Sequence, residues 1–426
     1  MKRTKTALKI RESFWFLPLL YSILALIIAF ITVNLDFSFT KDQLESAFPN
    51  ILVTKSQLAV TILSTLATSI LTLTTITFSS ILVVLTTFSG QFSPRTLQDF
   101  ISDRITQHLL AIFVSGFIYN LVTLLLMGGA EKKGLVISPV IGVMAGILCA
   151  GGFVYLIHHV TASVQVNQLI NRITKETLTA IHRVVKEQNR FSSDKKKTED
   201  DHREEFTVRA NKAGYIELLD IQRLIELASR DNVAVQLHIH IGDYVLNDTE
   251  LLTYRSETKL DETAENQFRQ TIKLGPERTS VQDIEFGIQK LAEIALRAIS
   301  PAINDPHTAI NCINRIGTIL RELEKQPRQP SKLYDNQGDF RLKVKQRDLD
   351  HYLYKGFYQI RHYAKEDISV TVGILQALKL IMEPAGATTQ QTVREFAEYI
   401  MNGFNQEVLE DMDQKHLQKA WRDLTK

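Results

Sequence analysis

The chain separates apolar from charged positions along its length. Between Phe14 and His158 it carries several long stretches without a charge, whereas from Lys175 onward Lys, Arg, Asp and Glu are dense. Four of the uncharged stretches reach the length of a membrane-spanning helix, about 20 apolar residues for a hydrocarbon core of about 30 Å. They cover residues 14–33, part of the run between Lys55 and Arg95, residues 109–127 and residues 135–158. The basic start Lys2, Arg3, Lys5, Lys9 and Arg11 would suit a signal peptide. The apolar region after it is too long for one, and no small-residue cleavage pattern succeeds it, so the first segment reads as an anchor. The pattern predicts a four-span membrane α-helical domain over residues 1–160 and a water-exposed region after it.

The same basic residues set the expected orientation. Five Lys or Arg precede the first span, and the loop behind it holds Lys41 and Lys55, a bias that keeps the N-terminus in the cytoplasm. Lys132 and Lys133, between spans three and four, weaken that bias slightly. An even number of spans returns the charged C-terminal region to the same side.

Span two is the most informative. Its uncharged run from Ser56 to Pro94 would be about 58 Å long as a continuous helix at about 1.5 Å per residue, so it must protrude, tilt or break. Gly90 and Pro94 mark its expected cytoplasmic limit. Thr61, Thr65, Thr68, Thr72, Thr75 and Ser79 recur at alternating spacings of four and three, which stacks their hydroxyls on one stripe of one helix. Two readings apply to it: helix packing through small hydroxyl residues, and the lining of a conduction path in an oligomer. The following segment, with Gln91, Ser93, Pro94, Arg95, Asp99, Asp103 and Arg104, forms a polar elbow where membrane and cytoplasm meet. It is an ion vestibule, a coupling between the soluble domain and the membrane, or a solvated amphipathic turn opening a helix, with Ser93 before Pro94 as the helix start.

Beyond the spans, Val166, Leu169, Ile170, Ile173, Thr177, Ile181 and Val184 keep helical spacing. They predict that span four extends into the cytoplasm over residues 161–190. A charged linker is expected over 191–205, with Lys195-Lys196-Lys197 and Asp200-Asp201. Alternation then takes over, in Phe206, Val208 and Ala210 and again in Val233, Val235, Leu237, Ile239 and Ile241, with a short helix around Leu224, Ile225 and Leu227 between. Through Gly214-Tyr215-Ile216 and Gly242-Asp243-Tyr244-Val245, this β module (206–256) resembles the barrel-sandwich hybrid of biotinyl and lipoyl domains. No lysine occupies the turn such carriers modify, so the carrier function is not implied. His238 and His240 would share one strand face with Asp243 nearby, but no third ligand is evident, and a solvent-facing pair fits equally well. No metal site is expected.

Residues 257–426 read as mainly helical. The segment around Asp283-Ile284-Glu285-Phe286-Gly287 runs as a helix to a break at Ser300-Pro301-Ala302-Ile303-Asn304-Asp305-Pro306, where Asn304 or Asp305 can cap the next helix. The competing reading gives Arg297, Ser300, Asn304 and Asp305 an ion or headgroup, with Arg278 and Arg297 available to an anion. A hairpin is expected over 332–345 around Asn336-Gln337-Gly338. The fold class is therefore a membrane helical domain followed by a cytoplasmic α+β domain with a small β module.

Composition excludes more than it proposes. A formal net charge of +2 carries no nucleic-acid signature, and no nucleic-acid partner is expected. Cys149 and Cys312 sit in contexts too different for a disulfide or a cysteine-based zinc site. The chain contains no G-x-x-x-x-G-K-[ST], H-E-x-x-H, C-x-x-C or G-x-S-x-G pattern, so neither catalysis nor a cofactor is expected.

Several segments together resemble a family of uncharacterised bacterial predicted membrane proteins, the domain of unknown function DUF2254. They are Ser13-Phe14-Trp15-Phe16, Gln91-Phe92-Ser93-Pro94-Arg95, His158-His159, Gly242-Asp243-Tyr244-Val245, Leu274-Gly275-Pro276-Glu277-Arg278-Thr279, Asp283 to Gly287 and Ser300 to Pro306. The resemblance implies a bacterial integral membrane protein and brings no activity with it. The expected partners are the lipid bilayer and further copies of the chain, with an inorganic ion as the implied cargo. The expected function is an oligomeric channel-like conduit in the inner membrane, with both termini cytoplasmic. The rival reading is a non-conducting scaffold or sensor whose soluble domain docks other proteins.

Overall fold

The computed structural model describes residues 15–38, 53–91, 104–127, 135–163, 165–191, 203–326, 331–383, 385–404 and 409–425. The chain forms two units, Met1–Val166 and Asn167–Lys426.

The first unit contains four helices long and apolar enough to cross a membrane: α1 (Phe16–Ser38), α2 (Ser56–Gln91), α3 (Arg104–Met127) and α4 (Ser138–Ser163). Helix α3 is central and packs against each of the other three, with Leu109, Phe113, Gly116, Tyr119 and Asn120 buried. Small residues let the helices meet closely. A Cβ on Gly116 would stand 2.8 Å from Cys149 Sγ, and one on Gly142 2.6 Å from Asn120 Oδ1, the close approach that membrane helices use in place of a hydrophobic driving force. At one end of the bundle the strands β1 (Thr54–Lys55) and β2 (Leu135–Val136) pair antiparallel. There the Asp36 carboxylate accepts the backbone N–H groups of Ile137 at 2.8 Å and Ser138 at 3.2 Å, capping α4 from the last turn of α1. The long run of span two is one helix, about 54 Å at about 1.5 Å per residue.

Helix α5 (Val166–Asn189) begins at the boundary between the units and leads the second. Then come β3 (Glu204–Arg209), β4 (Gly214–Leu219), α6 (Ile221–Arg230), β5 (Ala234–Leu237), β6 (Tyr244–Val245), β7 (Glu250–Ser256), α7 (Glu262–Gln270) and β8 (Ile272–Gly275). The chain continues through α8 (Ile284–Ala298), α9 (Pro306–Lys325), β9 (Lys332–Tyr334), β10 (Phe340–Lys343), α10 (Leu349–Tyr363), α11 (Ile368–Met382), α12 (Ala387–Met401) and α13 (Asp411–Thr425). Residues 192–202 of the expected charged linker lie outside the described residues.

The expected barrel-sandwich is replaced by two open sheets. Strands β4 and β6 pair as the glycine turns suggest, Gly214 opposite Val245, but β8 joins their other side in a three-stranded sheet of order β6-β4-β8. The rest form a five-stranded sheet of order β3-β7-β5-β10-β9, in which β10 and β5 run parallel and the other neighbours antiparallel. Strands from beyond residue 256 complete both sheets, so among the described residues no barrel closes. Their shared core holds Val208, Leu224, Val235, Tyr254, Phe268 and Leu342. Aspartates start most of the surrounding helices: Asp220, Asp261, Asp283, Asp305 and Asp367 each accept a backbone N–H of the first turn.

Candidate functional site

The hydroxyl stripe of α2 faces outward. Thr61, Thr65, Thr68, Thr72, Thr75 and Ser79 are all exposed on the protomer, while Ala59, Leu63, Ala67, Ile70 and Thr77 are buried in the bundle. The two sets lie about 180° apart on the helix at 3.6 residues per turn. Five of the six hydroxyls donate to carbonyls of the preceding turn: Thr61 to Gln57, Thr65 to Thr61, Thr68 to Ser64, Thr72 to Thr68 and Thr75 to Leu71, at 2.8–3.3 Å. Back-bonding satisfies each donor and leaves the hydroxyl oxygen with acceptor capacity outward. On either side of the stripe α2 also exposes Leu71, Ile76, Phe78 and Leu82, and the outward faces of α1 and α4 carry Leu20, Ile23, Leu24, Ile27, Ile147 and Leu148, all exposed.

The polar elbow is only partly described. Gln91 ends α2 and Arg104 begins α3 with its side chain exposed. Ser93, Pro94, Arg95, Asp99 and Asp103 lie outside the described residues. The turn between α8 and α9 is fully described and builds a helix cap. Asp305 accepts Thr308 N at 3.1 Å and Thr308 Oγ1 at 2.6 Å, which holds its carboxyl below the usual range. Asn304 adopts a left-handed φ of 50°, and Ser300 Oγ donates to Arg297 O at 2.7 Å.

A constellation that periodicity did not predict lies at the start of α8. Asp283 caps the helix through Phe286 N at 2.9 Å and takes both arms of Arg278, Nε at 2.7 Å and Nη2 at 2.8 Å. Arg278 Nη1 reaches Gln289 at 2.9 Å and Glu285 at 3.3 Å. This guanidinium is committed within the protein and is not the free anion ligand its sequence position suggests. Arg347 bridges Glu285 and Asp243, the latter at 2.5 Å, and His351 Nε2 meets Glu285 Oε2 at 2.6 Å. Asp243 in turn receives His240 N at 2.8 Å and lies 3.2 Å from His240 Nδ1. Burial raises the Asp243 carboxyl, but the His240 hydrogen bonds and the Arg347 charge outweigh it and hold the group below its ordinary range. Burial and the nearby Arg347 and Lys355 charges depress the His351 imidazole. His238, by contrast, pairs with Thr253 Oγ1 at 3.1 Å beyond the end of β5. Among the described residues no group of three or more His, Cys, Asp or Glu is arranged to hold a metal ion.

Three segments singled out in the sequence therefore meet in space: Gly242-Asp243, Arg278, and Asp283 with Glu285. Arg347 and His351, contributed by the segment after the β9–β10 hairpin and by α10, complete the network. No local spacing announces either, because they join it from over sixty residues away.

Comparison with known proteins agrees with the membrane architecture. The family described as Predicted membrane protein (DUF2254) matches residues 11–380. An uncharacterized protein of Mycobacterium bovis is 27% identical over 330 residues, which cover 76% of this chain and 63% of that protein. Two uncharacterized proteins of Mycobacterium tuberculosis match over the same lengths at 27% and 26% identity. The chain thus spans less than two thirds of the curated relatives it matches. No solved structure matches the chain.

Proposed function

The chain belongs to the DUF2254 family of predicted membrane proteins, and on that premise we propose that its copies assemble in the bacterial inner membrane around the hydroxyl face of α2 as a channel-like conduit for a small inorganic ion. The observation that supports this reading is the contrast between outward faces. Helices α1 and α4 offer lipid a surface of Leu and Ile, whereas the middle of the outward face of α2 is a line of threonines ending in Ser79. A face toward lipid gains nothing from such a line. A face toward copies of itself gains close packing and a path with oxygen acceptors along it. The basic residues before α1 place both termini and the second unit on the cytoplasmic side in this reading, and it involves no catalysis.

The test is ion flux through the purified full chain in liposomes, for wild type and for Thr68→Val combined with Thr72→Val. Valine keeps the shape and removes the oxygen. Conduction by wild type with altered rate or selectivity in the double variant supports the conduit. Absence of flux under varied ions, voltage and tension overturns it. The second reading, a non-conducting scaffold or sensor, then leads; the cavity in the second unit favours the sensor form.

A further inference from the structure

The second unit carries a half-open cavity of about 670 Å³ beside the ionic network at α8, a volume in the range of small-molecule sites. One part of its wall is apolar, with Ile221, Ile239, Ile241 and Leu323. The charged part is unbalanced. Asp243, Asp283 and Glu285 already absorb both Arg278 and Arg347. Of the other ionisable wall groups among the described residues, Glu187, Glu324, Asp348 and Asp350 are acids, Lys345 is a cation, and His240 and Tyr352 complete the set. Glu324 accepts the neutral hydroxyl of Thr389 at 2.9 Å, and Glu187 accepts the backbone N–H groups of Ile221 and Gln222. Burial, with Asp220 beside it, pushes the Glu187 carboxyl up, and neither its hydrogen bonds nor the opposing Arg183 charge cancel that.

A separate feature points the same way. Gln188, also in the wall, is 4% exposed and its Oε1 accepts no hydrogen bond. Buried acceptors are rarely left without a donor. Next to carboxylates and an apolar wall, that combination suits a ligand that carries N–H donors, positive charge and a hydrocarbon body. A metal ion does not suit it, since no set of three ligating side chains is assembled among the described residues.

We propose that this cavity is a binding site for a small organic cation, an amine or amidine with an apolar body, held by Glu187 and Glu324 with Gln188 as acceptor. The site stands whether or not α2 lines a conduit, because it draws only on residues of the second unit.

Calorimetry on the purified full chain in detergent tests it with spermidine, phenethylamine and benzamidine as probes, and with magnesium and inorganic phosphate as comparators. The expected result is saturable binding of at least one organic cation, weakened about tenfold or more by Glu324→Gln, the scale of a lost charged hydrogen bond. Glu187→Gln serves as the second variant, and thermal unfolding confirms that each variant is folded. The proposal is overturned if none of the three cations binds saturably, if both folded variants bind as wild type does, or if magnesium or phosphate binds more tightly than every organic cation.

Discussion

Gly242 lies directly against Asp283: a Cβ built on the glycine would fall inside van der Waals contact of the Asp283 carboxylate and of the Arg278 guanidinium. The glycine also holds a φ of 86°, in the left-handed region that side chains with a Cβ rarely adopt. The turn before β6 can therefore approach the ion pair only because the residue there has no side chain. Gly242→Ala should lower the stability of the full chain by about 1–3 kcal/mol, the cost of a strained backbone plus a displaced pair. Gly386→Ala is the control, since an added Cβ there meets nothing within 4 Å. Equal thermal unfolding of the two variants would refute the assignment.

Much of this architecture is legible in the sequence. The four spans announce themselves because hydrocarbon thickness imposes a length on apolar runs. The second hairpin is readable from Asn336-Gln337-Gly338, where Gly338 takes a φ of 81° and β9 pairs with β10. The helix break at Ser300 to Pro306 is readable from its capping aspartate. The sheet order is not readable, since Gly214 and Gly242 specify a strand pair and say nothing of which distant strand covers the other edge. Nor is the Arg347 to Asp243 bridge, whose partners are 104 residues apart. Charge complementarity across such a distance leaves no periodic trace.

Asp36 ties the first span to the fourth. It is 5% exposed and both its oxygens are engaged by the start of α4. Asp36→Ala removes both acceptors and should cost about 1 kcal/mol, the scale of a lost helix cap. Asp36→Asn keeps one acceptor and should cost less. Thermal unfolding in detergent orders the three proteins, and an alanine variant as stable as wild type would show that the cap contributes nothing.

The His351 imidazole makes stability depend on pH in a stated direction. Its folded pKa is depressed, so the unfolded chain binds the proton more readily and stability rises with pH. The contribution is fully present above the unfolded value of about 6.5 and is lost as pH falls through the folded value. The depressed Asp243 carboxyl acts in the same sense at lower pH. The unfolding temperature of the full chain should therefore drop between pH 7 and pH 5.5, an interval chosen around that unfolded value. His351→Gln should flatten the drop, and an unchanged profile in that variant removes His351 as the cause.

Helix α5 meets α8 at a glycine. A Cβ on Gly287 would collide with the Thr177 hydroxyl and methyl groups, and Thr177 itself is 1% exposed and back-bonded to Ile173 O at 2.8 Å. Gly287→Ala should therefore destabilise the chain even though alanine is the better helix former by about 1 kcal/mol. Thr177→Gly removes the colliding atoms and costs stability on its own through helix propensity and lost packing. In the double variant the two losses should not add, because the clash needs both side chains, with a coupling energy of about 0.5–3 kcal/mol. Strict additivity would mean that the helices separate freely at this crossing.

The environment of the α2 hydroxyl face can be read chemically, independently of any flux. The chain has two cysteines, Cys149 and Cys312, so a background with both replaced gives no thiol signal of its own. A thiol reacts as its thiolate, and a wet surface ionises it far better than hydrocarbon does. In that background Thr68→Cys and Thr72→Cys should be modified by a charged, membrane-impermeant thiol reagent applied to both sides of the membrane. Leu24→Cys and Leu148→Cys, on outward faces of α1 and α4 that are also exposed on the protomer, should resist it. Modification of all four would mean that exposure on the protomer alone sets reactivity. Resistance of all four would place the threonines against lipid or a dry helix contact, and the face would then serve packing rather than passage.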